Sequence, residues 1–351
     1  MTDLDAAIRD RARALGFDRV GIASAEGALE PEFSRYEDFI SAEKHGQMAY
    51  LAEPRGVRQR LDTAAILEGA KSVICVAERY AGKAEQGDPG DEEGVVRHIA
   101  RYARGSDYHN HLRRRLRRLA AFVRTLGDGA RARPMSDDAP LLERAWAARA
   151  GLGFVGKNGL LIAPGLGSFV LLGEVVTTLV LTPDVAMGER CGSCSLCLDA
   201  CPTGAFDGPF VLDPRKCVSY LTIELRGPMP EELRARVGEN LFGCDDCQSV
   251  CPYNRSGGET KPRYLPFDRW RAATLEGLVD LDDASYGALV GGSPVKRATK
   301  EGLARNAITV LANRRHPRYR SVLEKAAREH PDPAVRSHAA WGLELLDRPS
   351  E

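Results

Sequence analysis

One stretch of the sequence decides how the middle of the chain folds: residues 191–202 read CGSCSLCLDACP. Its spacing, C-x2-C-x2-C-x3-C-P, is the run by which bacterial ferredoxins bind iron–sulfur clusters, with three close cysteines on one cluster and the fourth directed to another. Further cysteines follow at Cys217 and in residues 244–252, CDDCQSVCP. Zinc is the alternative metal, but zinc sites usually use isolated C-x2-C pairs. The spacing therefore predicts two [4Fe–4S] clusters that pass electrons.

The pseudo-symmetry of the two cysteine groups assigns the ligands, because the outlying cysteine of each group crosses to the other cluster. The first cluster takes Cys191, Cys194, Cys197 and Cys251, and the second takes Cys201, Cys217, Cys244 and Cys247. The ninth cysteine, Cys75, stands alone in the strand-like run SVICVA and is not expected to bind a cluster.

The chain carries no obvious targeting segment. Its N-terminus, MTDLDAAIRDRARALG, lacks the apolar core of a signal peptide. No stretch approaches the ~18 uncharged apolar residues of a membrane span. Clustered cysteines in a reducing compartment indicate metal binding rather than disulfides. With 49 basic and 49 acidic side chains, net charge says nothing about partners. We expect a cytoplasmic protein without membrane contact.

The first half of the chain alternates helices and strands. Apolar side chains at spacings of three and four predict helices over 4–15, 108–126 and 141–150. Runs rich in β-branched residues predict strands at FDRVGIAS, SVICVA and FVLLGEVVTTLVL. This alternation indicates an α/β layered domain over 1–185, followed by a ferredoxin-like module over 186–258.

From about residue 275 the chain is helical again, with the runs GLARNAITVLANRRHP, YRSVLEKAAREHPDP and AVRSHAAWGLELL. Short helices separated by such breaks are typical of stacked HEAT-type hairpins. We therefore place a helical HEAT-like domain at 259–351. The acidic segment 84–94, which contains Gly and Pro, is predicted to be a surface loop.

Two motifs resemble cofactor signatures without completing them. Residues 151–156, GLGFVG, match G-x-G-x-x-G, but a helix precedes them and a strand follows, which is the reverse of a dinucleotide site. They fit either a helix C-terminus with a turn or a loop close to a flat cofactor. Residues 107–112, DYHNHL, begin a D-x-H-x-x-G cobalamin motif, but Leu112 replaces the glycine. We assign no histidine ligand to cobalt.

Together these residues resemble the epoxyqueuosine reductases, cobalamin- and iron–sulfur-dependent enzymes that complete the modified base queuosine in transfer RNA. The likeness covers nearly the whole chain. It is carried by the cysteine run and by residues 101–109, 139–162, 167–179, 217–230 and 296–313. It implies a multidomain α+β or α/β protein whose cobalamin domain is nitroreductase-like and related to reductive dehalogenases. The chain departs from the family at Asp137-Asp138, where members tend to have Asp-Thr.

The resemblance also implies a mechanism. Electrons from the clusters reduce cobalamin to Co(I), which attacks or reduces the epoxide of the modified base, and the oxygen leaves as water. Asp137 matches the family's proton donor. Since a free aspartate has a pKa near ~3.9, burial would have to raise the pKa of Asp137. Ser136, Asp137 or Asp138 could instead cap the following helix. The electrons must come from an external reductant, and a monomer is expected.

Several polar residues are expected to contact the cofactors. They are Arg60, Tyr102, Asp137, Lys157, Asn158 and Ser168 around cobalamin, with Tyr220 and Thr222 on the cluster side. Ordinary turn or surface positions are the alternative for each of them. Trp146 is expected in the core.

A basic segment near the C-terminus indicates an RNA partner. Between residues 294 and 320 there are eight basic side chains and one acidic one. A solvated helix face usually mixes signs, whereas single-sign charge on rigid helices suits phosphate contacts. The expected contacts to transfer RNA are Lys296, Arg297, Lys300 and Arg305. The run RRRLRR at 113–118 is a further candidate.

Three other functions fit parts of the sequence. A reductive dehalogenase-like enzyme acting on a small molecule would need no RNA-binding domain. A non-catalytic electron-transfer subunit would have no use for residues 1–185. An iron–sulfur protein of nucleic-acid repair would use its clusters structurally. Cobalamin binding, seen as base-off Co(II) after anaerobic reconstitution, separates these alternatives from an epoxyqueuosine reductase.

Overall fold

A computed structural model describes residues 3–27, 29–82, 94–137, 139–255 and 258–348. The predicted acidic loop at 84–94 lies outside the described residues except for Gly94. Asp138, a candidate helix cap, also lies outside them. Within the described part, no helix combines the length and apolar character that a membrane span needs.

The N-terminal part is built on one four-stranded sheet. The described residues of the N-terminal part contain six strands in all: β1 (Arg19–Ser24), β2 (Ser72–Arg79), β3 (Ala132–Met135), β4 (Phe154–Val155), β5 (Leu161–Ile162) and β6 (Val170–Thr177). The sheet has the order β1-β2-β6-β3 with antiparallel pairing throughout, and β4 and β5 form a separate antiparallel pair. The strands predicted at FDRVGIAS, SVICVA and FVLLGEVVTTLVL are confirmed.

Helices cover both faces of this sheet. They are α1 (Asp3–Ala14), α2 (Glu30–Ser41), α3 (Pro54–Leu61), α4 (Tyr108–Val123) and α5 (Glu143–Arg149). Successive residues of a strand face opposite sides. Ile74 and Val76 of β2 therefore pack with α1 and α4, whereas Val73 and Cys75 pack with α5. Trp146 of α5 is buried in this second core, as expected.

The cysteine-rich part contains short elements separated by turns. They are α6 (Leu196–Asp199), β7 (Phe206–Gly208), β8 (Val211–Leu212), α7 (Val218–Ile223), α8 (Glu231–Arg234) and α9 (Asp246–Ser249). Strands β7 and β8 pair as an antiparallel hairpin. Cys197 lies in α6 and Cys247 in α9, and these two short helices pack against each other.

Helices form the C-terminal part. They are α10 (Asp268–Ala272), α11 (Asp283–Val290), α12 (Lys300–Asn313), α13 (Arg320–Glu329) and α14 (Pro333–Asp347). α14 packs against both α12 and α13, as HEAT-type hairpins do. The core around α12 also takes in Val95, Ile99 and Phe242 from earlier parts of the chain. Hydrophobic contacts therefore join all three parts.

A buried carboxylate adds a polar connection between the first and last parts. Glu78 at the end of β2 is fully buried and pairs with Arg115 of α4. It also accepts a hydrogen bond from Tyr264 and lies 3.4 Å from Lys261. Removing one partner of a buried pair commonly costs ~3–5 kcal/mol. Arg115 of the RRRLRR run is therefore a structural residue and is not available to RNA.

Candidate active site and cluster module

The four cysteines of the first predicted ligand set lie close together. Burial raises the pKa of the Cys197 thiol, and the neighbouring thiols of Cys251 and Cys194 raise it further. The pKa of Cys191 is raised to about 11, first by burial and then by neighbours that include Cys197. Like charges raise each other's pKa over short distances only. Cys191, Cys194 and Cys251 therefore all lie near Cys197, as residues that share one cluster would.

The second set is arranged in the same way. Burial raises the pKa of Cys247, and Cys217 and Cys201 add to this effect. The pKa of Cys244 is raised by burial, with Cys247 among its neighbours. Cys197 of the first set also acts on Cys247. The two sets are therefore neighbours, an arrangement suited to passing electrons between clusters.

The loop that carries Cys244 contacts the N-terminal part directly. The Ala100 N–H donates to the carbonyl of Phe242 over 2.8 Å, and the Arg101 N–H donates to Oδ2 of Asp245 over 2.8 Å. Gly243 has φ +69°, and a Cβ there would lie 2.6 Å from the Cβ of Ala100. Glycine is required at this approach because both the backbone angle and the space exclude a side chain.

Two aromatic rings lead from this contact to Asp137. The ring of Tyr102 lies 6.2 Å from that of Phe242 and 6.0 Å from that of Tyr108. The Tyr108 hydroxyl donates to Oδ2 of Asp137 over 2.5 Å. Nε2 of His109 lies 3.1 Å from the same carboxylate oxygen. Tyr108, His109 and Asp137 thus form an acid–base group. Tyr102 lies between this group and the cluster loop at Phe242.

Helix α4 positions this group. Asp107 is its N-cap and accepts the His109 N–H, so Tyr108 and His109 occupy the first turn. Oδ1 of Asp107 also lies 2.7 Å from Nδ1 of His109, and Oδ2 lies 3.3 Å from Nζ of Lys296. Asp137 follows the end of β3 and meets the two side chains from the other side.

The pKa values of His109, Asp107 and Asp137 shift in different directions. Burial lowers the pKa of His109, but hydrogen bonds to Asp107 and Asp137 outweigh it and raise the pKa to about 9. The hydrogen bond from His109 lowers the pKa of Asp107 to about 2. Burial raises the pKa of Asp137, yet the hydrogen bonds from His109 and Tyr108 leave it below the usual value. Burial therefore does not raise the pKa of Asp137 above its usual value, and His109 is the partner with the raised pKa.

Helix capping does not explain Asp137. Helix α5 begins at Glu143, and its N-cap is Leu142, which makes no side-chain cap. Neither Ser136 nor Asp137 is the capping residue. The Asp137 side chain is instead 52% exposed and faces His109 and Tyr108.

Two expected cobalamin contacts direct their polar atoms at the cluster module. Nζ of Lys157 donates to the carbonyls of Gly192 and Cys194 over 2.6 and 2.9 Å. Asn158 is buried, and its Nδ2 lies 3.5 Å from the carbonyl of Cys247. The pair therefore joins the glycine-rich turn to both cluster loops.

Ser168 and Thr222 are also buried beside the cysteines. The Ser168 N–H donates to Oδ1 of Asn254 over 2.7 Å. The Thr222 hydroxyl accepts the N–H of Gly243 over 2.9 Å and so supports the cluster loop from α7. Gly151 has φ +71° after the end of α5, which agrees with the helix C-terminus and turn expected for GLGFVG.

A short segment over 45–56 contacts both the cysteine-rich part and the turn that carries Arg297. The Tyr220 hydroxyl accepts the Gln47 N–H over 2.9 Å and anchors this segment. Tyr50 follows on a 3₁₀ turn (Ala49–Leu51), and its hydroxyl accepts from Nη2 of Arg297 over 3.3 Å. Arg297 also pairs with Glu224, with Nε 2.5 Å from Oε1. Neither Tyr50 nor Glu224 was predicted, because no local motif marks them.

Several buried polar atoms of the protein have unsatisfied hydrogen-bonding capacity. Among the described residues, Nη1 of Arg60, Nε1 of Trp146 and both carboxyl oxygens of Glu174 are buried without a hydrogen-bond partner. Such atoms are rare in folded proteins and require a partner. Burial raises the pKa of Glu174 well above its usual value, which favours the protonated carboxyl, a group that can both donate and accept. Amide groups, which surround a corrin ring, offer matching donors and acceptors.

The basic segment is more strongly neutralised than its composition indicated. Its side chains pair with acids from elsewhere in the chain: Lys296 with Asp107, Arg297 with Glu224, Lys300 with Asp283, Arg314 with Glu239 and Arg320 with Asp347. Lys296 and Arg297 remain more than half exposed and lie beside the Asp137 site.

Arg305 is not available to RNA. It is 2% exposed, and its guanidinium donates to the carbonyls of Leu221, Leu225 and Gly227 over 2.6–2.8 Å. The expectation that Arg305 contacts RNA is therefore wrong. Its helix packs against the segment after α7, and that segment covers it.

Family models match three parts of the chain. The 4Fe-4S double cluster binding domain matches residues 190–254, Epoxyqueuosine reductase QueG matches 60–138, and HEAT repeats match 296–351. The first range contains all eight predicted cluster cysteines, so the two-cluster module is confirmed. The last range confirms the HEAT-type helices.

Comparison with whole proteins extends this likeness over the full chain. The chain is 41% identical over 318 residues to the epoxyqueuosine reductase of Gloeobacter violaceus, covering 89% of this chain and 97% of the relative. It is also similar to a crystal structure of epoxyqueuosine reductase with a tRNA-Tyr epoxyqueuosine-modified stem loop, with TM-score 0.87, 31% identity and coverage of 99% and 91%. A Bacillus subtilis epoxyqueuosine reductase with its catalytic loop swung out of the active site has TM-score 0.86 and 31% identity, again with coverage of 99% and 91%. Since both sequence and fold agree over nearly the whole length, the chain belongs to the epoxyqueuosine reductase family.

Proposed function

We propose that this protein reduces epoxyqueuosine to queuosine in the anticodon loop of transfer RNA, with cobalamin at the active site and two [4Fe–4S] clusters as electron carriers. One observation carries the proposal: the cluster loop at Gly243 packs on Ala100, and Tyr102 leads from there to Tyr108 and Asp137. Sources of electrons and protons thus meet at one site. The relative with the modified stem loop supports the identity of the substrate.

The overall chemistry requires both sources. Conversion of an epoxide to an alkene and water consumes two electrons and two protons. Bound cobalamin supplies a strongly reducing cobalt centre. We propose that Cys191, Cys194, Cys197 and Cys251 hold one cluster and that Cys201, Cys217, Cys244 and Cys247 hold the other. The spacing of the cysteines along the chain supports this division. An external donor must reduce the clusters.

Asp137 serves in this proposal as the group that hands protons to the departing epoxide oxygen. At neutral pH the proton resides on His109, whose Nε2 lies 3.1 Å from Oδ2 of Asp137. Transfer from His109 makes Asp137 the immediate acid, and Asp107 stabilises the imidazolium that precedes the transfer. The Tyr108 hydroxyl holds the carboxylate in place. A proton donor of this kind commonly contributes ~10²–10⁴-fold to rate.

The remaining residues divide into two roles. Arg60 and Tyr102 are proposed cobalamin contacts, Arg60 because its buried Nη1 has no partner among the described residues and Tyr102 because it lies between the cluster loop and Tyr108. Lys157, Asn158, Ser168, Tyr220 and Thr222 support the cofactor site through the cluster loops and the 45–56 segment.

One experiment tests the function. The protein is reconstituted anaerobically with iron, sulfide and cobalamin, mixed with a chemical reductant and given an epoxyqueuosine-containing anticodon stem loop. Mass spectrometry of the digested RNA should show loss of one oxygen atom from the modified nucleoside. Protein with full iron and cobalamin content that leaves the nucleoside unchanged would contradict the proposal.

The proposal also covers the oligomeric state of the protein and its location in the cell. One chain contains the ligands for both clusters, the Asp137 group and the basic segment beside it. Nothing in the proposed reaction requires a second copy, so we propose a monomer that meets transfer RNA in the cytoplasm.

The RNA surface makes a separate prediction. Lys296 lies beside the Asp137 site and Lys300 follows it at the start of α12, and replacing both with Ala should weaken stem-loop binding. Removing one lysine–phosphate interaction should make the slope of log K against log salt shallower by ~0.7–0.9, so the double variant should differ from the wild type by about 1.4–1.8. Fluorescence anisotropy at several salt concentrations measures the slope.

The matched control is Lys325→Ala, which removes an equally ion-paired lysine from α13. Its salt slope should equal that of the wild type. Equal affinity of the double variant and the wild type at every salt concentration would exclude these two lysines from the RNA surface. The exposed arginines of the 113–118 run would then be tested next.

A further inference from the structure

Tyr50 is an exposed aromatic side chain at the mouth of the Asp137 site. Its side chain is 48% exposed, the highest exposure among the large aromatic side chains of the described residues. It lies on the 3₁₀ turn Ala49–Leu51, within the segment anchored by Tyr220. The ring is therefore accessible to a ligand from outside the chain.

The Tyr50 ring is held in a defined orientation. Its hydroxyl accepts from Nη2 of Arg297 over 3.3 Å, and the guanidinium lies 5.7 Å from the ring centroid. Arg297 is in turn held by both carboxylate oxygens of Glu224, at 2.5 and 3.2 Å. A side chain fixed in this way loses little conformational entropy when a ligand binds to it.

Direct contacts connect Tyr50 to the proton-donating group. Arg297 and Lys296 are consecutive residues of one 3₁₀ turn (Pro294–Ala298), and Lys296 pairs with Asp107, the partner of His109. The same turn therefore contacts both Tyr50, through Arg297, and Asp107, through Lys296.

The opposite side of the segment also borders the Asp137 loop. A Cβ on Gly56, which follows Tyr50 in the same segment, would lie 3.6 Å from the Cβ of Pro140, and Pro140 follows the loop of Asp137. The charge of Asp137 contributes to the raised pKa of Tyr50, after burial and Glu224. The 45–56 segment and the turn of Lys296 and Arg297 therefore bring Tyr50 near the Asp137 group.

A base in an RNA loop must leave its stack before an enzyme can act on it, which costs a few kcal/mol of stacking. Proteins commonly recover this cost by stacking the extruded base on an aromatic ring, because every base has a π-face. Phosphate binding is the other use of such a rim, but a tyrosine ring has no charge to offer, and Arg297 is already paired with Glu224.

We propose that Tyr50 is the stacking platform for the extruded, modified base of the RNA, with Arg297 and Glu224 acting as positioning residues that hold the ring. The proposal deepens the function proposed above and rests on it. It assigns base recognition to the 45–56 segment, which Tyr220 anchors to the cysteine-rich part. Lys296 and Lys300 provide the phosphate contacts.

The test compares Tyr50→Ala with wild-type holoenzyme, loaded with both clusters and cobalamin but not reduced. Affinity is measured on two stem loops, one with the epoxyqueuosine nucleotide and one with an abasic site at the same position. Loss of one stacked base commonly costs ~1–3 kcal/mol, so Tyr50→Ala should raise Kd for the modified loop roughly 5- to 150-fold. On the abasic loop the two proteins should bind equally, because there is no base to stack.

Two further variants make the result specific. Tyr50→Phe keeps the ring and should bind the modified loop within a few-fold of wild type. Phe210→Ala removes another exposed aromatic side chain, at the β7–β8 turn, and should change neither Kd. In turnover assays, Tyr50→Ala should raise KM more than it lowers kcat, since the ring acts on binding.

The failures of the two proposals are distinguishable. The stacking proposal is overturned if Tyr50→Ala binds the modified loop like wild type, if its defect persists on the abasic loop, or if Tyr50→Phe is as defective as Tyr50→Ala. The proposed function itself fails if fully loaded wild-type protein neither binds nor reduces the modified loop.

Discussion

Replacing Cys194 with Ala should remove one cluster and abolish turnover. The wild-type protein should contain about eight iron atoms and be brown, because two [4Fe–4S] clusters require that number. The variant should retain about four iron atoms, since the remaining three thiols of its set cannot hold a cubane stably. Cys217→Ala should have the same effect through the other set. Iron and sulfide analysis with visible absorbance measures the outcome.

Cys75 provides the matched control. It is fully buried in β2 between Gly21 and Glu174, far in sequence from the other cysteines. Cys75→Ala should therefore keep the full iron content, at a modest cost in stability because its side chain fills space in the core. Two bound zinc ions in the wild type, or full iron content in Cys194→Ala, would contradict the ligand assignment.

Asp137→Asn should retain both clusters but lower kcat by ~10²–10⁴-fold, the usual contribution of a positioned proton donor. The amide fills the same space but cannot carry the His109 proton. Stability should change little because Asp137 does not cap α5. Asp280→Asn, which removes another exposed, ion-paired carboxylate, is the matched control and should turn over like wild type.

The proton on His109 gives this prediction a pH dependence. The pKa of His109 is raised to about 9, so the imidazolium is present at neutral pH and disappears as pH rises through about 9. Wild-type turnover should therefore fall on the alkaline side near pH 9. His109→Gln should be slow at every pH and should lack that alkaline fall. A crippled Asp138→Asn beside an active Asp137→Asn would place the acid one residue later.

Tyr108 and His109 show where local reasoning stops. The stretch DYHNHL is an incomplete cobalamin motif, and nothing in its spacing gives its histidines a role. In the structure, the first turn of α4 places both side chains on Asp137, which lies 28 residues beyond His109 in the chain. The resemblance does mark Tyr108 and His109, because residues 101–109 belong to it. It does not reveal that both side chains contact Asp137.

The basic segment illustrates a second limit. A count of charges treats Arg305 and Lys296 alike. In the structure, Arg305 of α12 is buried and donates to backbone carbonyls, whereas Lys296, which precedes α12, stays exposed beside the Asp137 site. Lys157 and Asn158 are expected at the cofactor because the sequence shows no packing role for them, yet they bind carbonyls of the cluster loops. The exposure of a side chain and its hydrogen-bond partners depend on which distant segment of the chain packs against it.

The sequence by itself determined the features that depend on short-range spacing. Cysteine spacing predicted the two-cluster module because three ligands of the first cluster come from a single tight turn and the fourth cysteine of that run is directed to the second cluster. The period of apolar residues predicted the helices, since each repeat places its side chains on one face, and runs of β-branched residues predicted the strands. Tertiary structure alone decided the rest. It brought Asp107, His109 and Asp137 together, buried Arg305, and placed Tyr50 at the mouth of the site. These outcomes follow from contacts between residues far apart in the chain, and such contacts form only when the separate parts pack into one core.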